Sequence, residues 1–209
     1  GYSSKGPLIL GEPGNLTVNF ARDVSRYLSK AVDVDLIDHF QDAVHSKMAV
    51  NLANSVTTLI GLNHSISVDE MSNPQLKMLK DVLGNTMYEG VKVLKKAGYK
   101  ECSLGDMPTW SKIKASAKMP FFIVKKLFIK SLEKNMTLTS MAQDILVKKR
   151  VNTELEDLNG YFITMAEQFG MKIPYNRTIY DLCKERFEKV DTFQPLAIEE
   201  VFSRVKKIK

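Results

Sequence analysis

Residues 153–160, Thr153-Glu154-Leu155-Glu156-Asp157-Leu158-Asn159-Gly160, decide how this chain reads. Thr153 followed three residues later by Glu156 fits a capping box: the hydroxyl accepts from the N3 amide and the carboxylate reaches back to the cap amide. Beyond it, Leu155, Leu158, Phe162, Met165 and Phe169 recur at helical spacing and predict a helix with these side chains inward, stopped by Gly170. The capping box accounts for Glu156. It does not account for Glu154, which falls at the first helical position, where any carboxylate gains from the helix dipole.

Helical signals continue on both sides of this segment. Pro174 opens a further helix with Ile179, Leu182 and Phe187 on its inner face, and 195–205 reads as a last amphipathic helix. Upstream, 140–149 reads as a helix with Ser140 as its N-cap and Gln143 at N3. Residues 120–132 are apolar, basic and helical in pattern, and 108–118 is a short helix or turn. Leu76, Leu79, Leu83, Met87, Val91 and Leu94 mark an amphipathic helix over 75–97, ended by Gly98. Residues 36–62 read as one long apolar-rich helix. Only the start differs. Leu8-Ile9-Leu10-Gly11 is a strand entering a Glu12-Pro13-Gly14 turn. A helix follows over 16–31, with Val18, Ala21, Val24, Tyr27 and Leu28 near one face, and then a short strand at 32–34. The expected fold is mainly α: roughly seven helices behind a short α/β lead-in.

Composition sets limits. The 209 residues are 44% hydrophobic and 26% charged, which is ordinary for a globular chain and excludes wholesale disorder. No apolar run approaches the roughly 20 residues of a membrane span. The net charge of +6 invites a nucleic-acid reading. The basic residues are spread among acids, however, as in Lys184-Glu185-Arg186-Phe187-Glu188-Lys189. The clusters Lys125-Lys126, Lys148-Lys149-Arg150 and Lys206-Lys207-Ile208-Lys209 lack the aromatic interleaving of a single-strand binder. Cys102 and Cys183 are isolated, and His39, His45 and His64 make no ligand spacing. A reducing, cytoplasmic setting with no metal site is expected.

One polar stripe stands out. Within His45-Ser46-Lys47-Met48-Ala49-Val50-Asn51-Leu52-Ala53-Asn54-Ser55-Val56, the residues Lys47, Asn51 and Asn54 fall on one side of a helix otherwise rich in Met, Ala, Val and Leu. Such a stripe is either the solvated face or the wall of a cleft. In a partly apolar cleft a lysine is a readier proton donor, because desolvation disfavours its charge, and the asparagine amides would orient a polar ligand.

Taken together, these segments resemble the C-terminal domain of the ketopantoate reductase (2-dehydropantoate 2-reductase) family over about residues 6–190. Lys47-Met48-Ala49-Val50-Asn51 resembles its Lys-x-x-x-Asn block. Ser140-Met141-Ala142-Gln143-Asp144 is similar to its Ser-Met-x-Gln-Asp motif, and 153–160 to its Thr-Glu-Ile-Asp-x-Leu-Asn-Gly motif. Gly170-Met171-Lys172-Ile173-Pro174-Tyr175-Asn176 is similar to the Gly-Ile-x-x-Pro-x-Asn that follows.

The resemblance implies a multi-helix domain of the 6-phosphogluconate dehydrogenase C-terminal-like type at 35–209. Residues 1–34 would then be the remnant of an N-terminal Rossmann domain. It implies an NADPH-dependent reduction of a small-molecule 2-keto acid. Lys47 would be the catalytic acid and Glu154 would accept from the substrate hydroxyl. Asn51 and Asn54 would bind substrate, and Ser140 would hold its carboxylate. A homodimer without nucleic-acid or membrane partners is also implied.

The chain departs from the pattern in three ways. The family's second Asn stands eight residues after the Lys, where this chain has Ser55, its Asn lying one residue earlier at Asn54. Thr137 stands where some members have Asn. Two extra residues lie between Asp144 and Glu154, around Lys148-Lys149-Arg150, and read as a solvated loop or as a greeting for a more acidic substrate. No GxGxxG is present, and Gly11-Glu12-Pro13-Gly14 has the wrong spacing for one. The cofactor-binding residues are therefore unassigned, and the chain, opening at Gly1 without Met, is expected to be an inactive portion of a longer enzyme. The competing readings are a non-catalytic helical interaction or dimerisation module that kept the fold, and a basic helical nucleic-acid binder.

Overall fold

A computed structural model describes residues 7–11, 18–102, 105, 107–134 and 137–207. The Glu12-Pro13-Gly14 turn and the Gly1–Lys5 opening lie outside the described residues. Strand β1 (Leu8–Gly11), helix α1 (Val18–Leu28) and strand β2 (Val34–Ile37) form a parallel pair joined by a helical crossover, with Leu8 opposite Val34 and Gly11 opposite Ile37. The second strand thus lies later than the expected 32–34, because Leu36 and Ile37 pair with β1 instead of opening a helix. Tyr27, grouped with the apolar residues near one face of α1, is 75% exposed, and Phe20 of the same helix is exposed as well.

The remaining elements are helical. They are α2 (Phe40–Asn51), α3 (Ala53–Leu59), α4 (Asn73–Lys96), α5 (Trp110–Lys118), α6 (Phe121–Lys134), α7 (Ser140–Ala142), α8 (Tyr161–Gln168), α9 (Pro174–Phe187) and α10 (Ile198–Lys206). The single long helix expected over 36–62 is instead α2 and α3, divided at Leu52. That residue has φ −54° and ψ −21°, a tighter turn than the α-helix proper. Two π turns interrupt regular helix, Gln143–Val147 after α7 and Glu156–Gly160 before α8.

Helix α4 is the central pillar, about 36 Å long at 1.5 Å per residue. Ser72 caps it, its hydroxyl accepting from the Gln75 amide while the Gln75 side chain accepts from the Ser72 amide. Gly98 closes it at φ +90°: Tyr99 N donates to Leu94 O and Gly98 N to Lys95 O, the Schellman pattern. In mid-helix, Gly84 lets α5 cross closely. A Cβ there would stand 3.0 Å from Ala117 N and 3.1 Å from Ala117 Cα.

Two apolar clusters share α4. In one, Leu76, Leu79 and Val82 pack with Val56 and Leu59 of α3, Met141, Ile145 and Leu155, Ile179 and Leu182 of α9, and Val201 and Val205 of α10. In the other, Val91 and Leu94 pack with Ala49 and Leu52, Trp110 and Ile113, and Leu158 and Phe162. The backbone passes between them five times, and two of the short passages run from Leu52 to Val56 and from Leu155 to Leu158. Phe169, expected inward, is exposed past the end of α8.

Candidate functional site

The site forms where these two short crossings meet. Glu154 is half-buried just ahead of the second π turn. Its Oε1 accepts from Ser140 Oγ at 2.9 Å and from Asn54 Nδ2 at 3.2 Å. Two sequence-predicted residues, Asn54 and Ser140, thus converge on one carboxylate oxygen of a third.

Local chemistry explains why Ser140 is free to do this, and it corrects both capping boxes. The cap of α7 is Thr139, whose Oγ1 accepts from Ala142 N at 3.2 Å. Ser140 is the first helical residue, so its hydroxyl points away from cap duty, while Gln143 Nε2 donates to Leu138 O. The capping box at Thr153 does not form either. Thr153 Oγ1 accepts from Leu155 N at 3.3 Å, and Glu156 turns outward to Tyr180 and Lys184. Tyr180 OH donates to Glu156 Oε2 at 2.7 Å, and Lys184 Nζ lies 2.9 Å from Oε1. The Tyr180 bond, and then Lys184, hold the Glu156 carboxyl below its ordinary range.

Asn51 and Lys47 stand one and two turns before Asn54, Lys47 lying about 10 Å back along the axis. Asn51 is half-buried. Lys47 is exposed, and no described residue bonds to it or pairs with it. Of the two readings of the stripe, a solvated face or a cleft wall, the described residues leave Lys47 on a solvated face. The stretch 147–152 is exposed, with Lys148 paired to Asp144 at 2.9 Å and Lys149 at φ +54°. Thr137 is exposed too.

Two networks behind the site escaped the sequence reading. Pro174 at the start of α9 leaves the helix without a cap of its own, and the buried Glu89 of α4 supplies one from outside. Its Oε1 accepts from Tyr175 N at 3.2 Å and its Oε2 from Asn176 N at 2.9 Å. Asn176 Nδ2 also donates to Glu89 Oε2 and to Thr86 O, and Asn159 Nδ2 donates to Asn176 Oδ1. Burial pushes the Glu89 carboxyl up, against the pull of these donors. The Asn of each of the last two motifs is thus a framework residue that ties the second π turn to α9.

Two residues before Lys47, the buried His45 stacks on Tyr99 at 3.8 Å between ring centroids. Its Nδ1 donates to the Gln41 carbonyl at 2.7 Å, and its Nε2 shares a hydrogen bond with Tyr161 OH at 2.7 Å. Burial, helped by Tyr99, pushes the Tyr161 hydroxyl up.

An open groove of about 400 Å³ runs beside the second π turn, walled by Glu156, Asp157, Tyr161, Glu167 and Arg177. Arg177 is paired with Glu167, so the groove is net acidic and ill suited to an anionic ligand. Among the described residues no three His, Cys, Asp or Glu side chains gather as a metal would need. No described helix is long and apolar enough to cross a membrane.

This arrangement defines a helical domain that presents a carboxylate cradle on one face. The family model for the ketopantoate reductase PanE/ApbA C-terminal domain matches residues 39–187, and the chain belongs to that family. A search of curated proteins finds no match.

Solved structures share the fold. D-mandelate dehydrogenase with NADH and anilino(oxo)acetate superposes with a TM-score of 0.62 at 15% identity, over 88% of this chain and 53% of that one. A PanE/ApbA family ketopantoate reductase from Ralstonia eutropha gives 0.61 at 16%, over 90% and 53%. A dimeric ketopantoate reductase from Staphylococcus aureus gives 0.60 at 19%, over 87% and 54%. The chain therefore spans about half the length of the structures it matches.

Proposed function

We propose that this chain is the substrate-binding and proton-donating part of an NADPH-dependent 2-keto acid reductase of the ketopantoate reductase type. The observation that carries the reading is the convergence of Ser140 and Asn54 on Glu154, on the helical face that also bears Asn51 and Lys47. On this reading residues 35–209 are the helical domain, and 1–34 close a dinucleotide-binding domain that lies outside this chain. The described residues offer no glycine-rich strand-to-helix turn to cradle a nicotinamide cofactor, which would supply the hydride when bound. The two free thiols, Cys102 and Cys183, suit a reducing cytoplasm.

What this chain does is hold the acid and the proton. The Asn51 amide binds the substrate's polar groups, and Ser140, whose hydroxyl donates to Glu154 Oε1, holds the Glu154 carboxylate in place for the substrate. Lys47, exposed on that face, reaches the keto oxygen. It stabilises the alkoxide that develops there and gives it a proton from Nζ. Glu154 accepts from the substrate hydroxyl and fixes its orientation. A homodimer belongs to the same proposal, by analogy with the dimeric relative.

A second reading keeps the chemistry and changes the acid reduced. The shifted Asn54 and the exposed Lys149 and Arg150 favour a substrate other than ketopantoate. The test uses the polypeptide carrying both this chain and its cofactor domain, with NADPH or NADH and a panel of 2-keto acids. Turnover on any of them, abolished by Lys47→Ala, supports the reading; a Lys47→Ala variant as fast as wild type overturns it.

A further inference from the structure

The asparagine that stands one residue early has a geometric explanation. On an α-helix residues three and four apart share a face, and a 3₁₀-like turn favours the spacing of three. Leu52, with ψ −21°, tightens the turn between Asn51 and Asn54. Two bonds lock the tightened turn, Ser55 Oγ to Leu52 O at 3.0 Å and Thr57 Oγ1 to Asn54 O at 3.1 Å. Seven residues are close to two full turns, so Asn54 returns to the face of Lys47, and the tightened turn keeps it beside Asn51. One N–H of the amide so placed is already committed: Nδ2 donates to Glu154 Oε1, the same oxygen that Ser140 Oγ reaches. No described residue bonds to Oε2.

From this juxtaposition we infer that Asn54 is a positioning residue that acts through Glu154. With Ser140 it pins one carboxylate oxygen, and the other is the acceptor presented to the substrate. The role rests on the reductase reading. It differs from the direct substrate contact that the family resemblance implies for this asparagine. Two oriented donors on one oxygen fix both the rotamer and the plane of the carboxylate, so a ligand hydroxyl meets a lone pair already aimed.

The kinetic test is a double-mutant cycle in the polypeptide that carries the cofactor domain. Asn54→Ala lowers kcat/KM about tenfold in wild type, the scale of one charge-assisted hydrogen bond. It costs less than about twofold once Glu154→Gln has removed the group it positions. Asn54→Asp, which matches the size but sets a carboxylate against a carboxylate, is worse than Asn54→Ala; a residue kept for packing alone would rank them the other way. An equal loss from Asn54→Ala in both backgrounds overturns the proposal.

A second arm needs no turnover. In the 209-residue chain, the Asn54 side-chain amide resonances shift in Glu154→Gln and also in Ser140→Ala, because the two donors share one oxygen. Amide resonances unmoved by Glu154→Gln overturn the positioning role. A failure of the keto-acid reading shows only in the kinetics, so the two failures are distinguishable.

Discussion

Ser140 Oγ donates to Glu154 Oε1 at 2.9 Å across a segment that holds a π turn at Gln143–Val147 and a left-handed residue at Lys149. An ordinary helix running on from Ser140 would carry the chain about 1.5 Å further away with each residue. The π turn and the reversal at Lys149 bring it back. On the proposed function, Ser140→Ala raises KM for the keto acid several-fold and leaves kcat within about twofold. Because the hydroxyl is exposed, the melting temperature stays unchanged within a degree or two. Steady-state kinetics beside a thermal melt check both halves; an unchanged KM removes Ser140 from the site.

Lys47 offers a cleaner separation of function from fold. It is exposed and bonded to no described residue, so Lys47→Ala changes stability by no more than about 0.5 kcal/mol. As the proton donor its loss lowers kcat by about 10²–10⁴-fold. Urea unfolding and single-turnover rates on the same preparation test the pair of statements. A large loss of stability would place the lysine in the framework instead.

Glu89 ties stability to pH. Burial raises its folded carboxyl above the unfolded value, so between those two values the native state binds the extra proton. Its contribution is greatest at low pH and is lost as pH rises through the folded value. Glu89→Gln abolishes that slope. It also costs about 1–3 kcal/mol, because one amide cannot accept from both Tyr175 N and Asn176 N without turning its own donor toward one of them. Unfolding free energies at a series of pH values measure both effects; parallel pH curves for wild type and variant would contradict the assignment.

Gly84→Ala sets two effects of opposite sign against each other. Replacing a mid-helix glycine with alanine gains about 1 kcal/mol of helix propensity. The new methyl stands 3.0 Å from the Ala117 backbone nitrogen, and a backbone cannot swing aside as a long side chain can. Overpacking of this kind costs about 1–3 kcal/mol, so the net change is destabilising. Denaturant midpoints decide it, and a stabilised variant would mean that α5 is free to shift.

The sequence foretold the helices well where one apolar stripe met one core. Leu76 to Leu94 announced α4, and Gly98 its end, because both signals are local. Caps were harder. Thr139 and Ser140 are adjacent hydroxyls of equal capping ability, and only the tertiary position of Glu154 shows which one is released for the site. The π turns left no trace, since a 3.6-residue period cannot reveal one extra residue per turn. Glu89 was invisible as a cap because its partners lie 86 and 87 residues away. Asn54, Ser140 and Glu154 could be named in advance from motif likeness, but not that two of them would spend their donors on the third.

The two short crossings of the seam beside the site give the cradle an unusual sensitivity. Asn54 sits between Leu52 of one apolar cluster and Val56 of the other, and Glu154 directly precedes the crossing from Leu155 to Leu158. Its hydrogen bonds therefore act as an alignment gauge between the two halves of the domain. Slippage along the seam too small to melt either half would still pull donor from acceptor. Substitutions deep in either cluster, far from any ligand, will register in affinity before they register in unfolding.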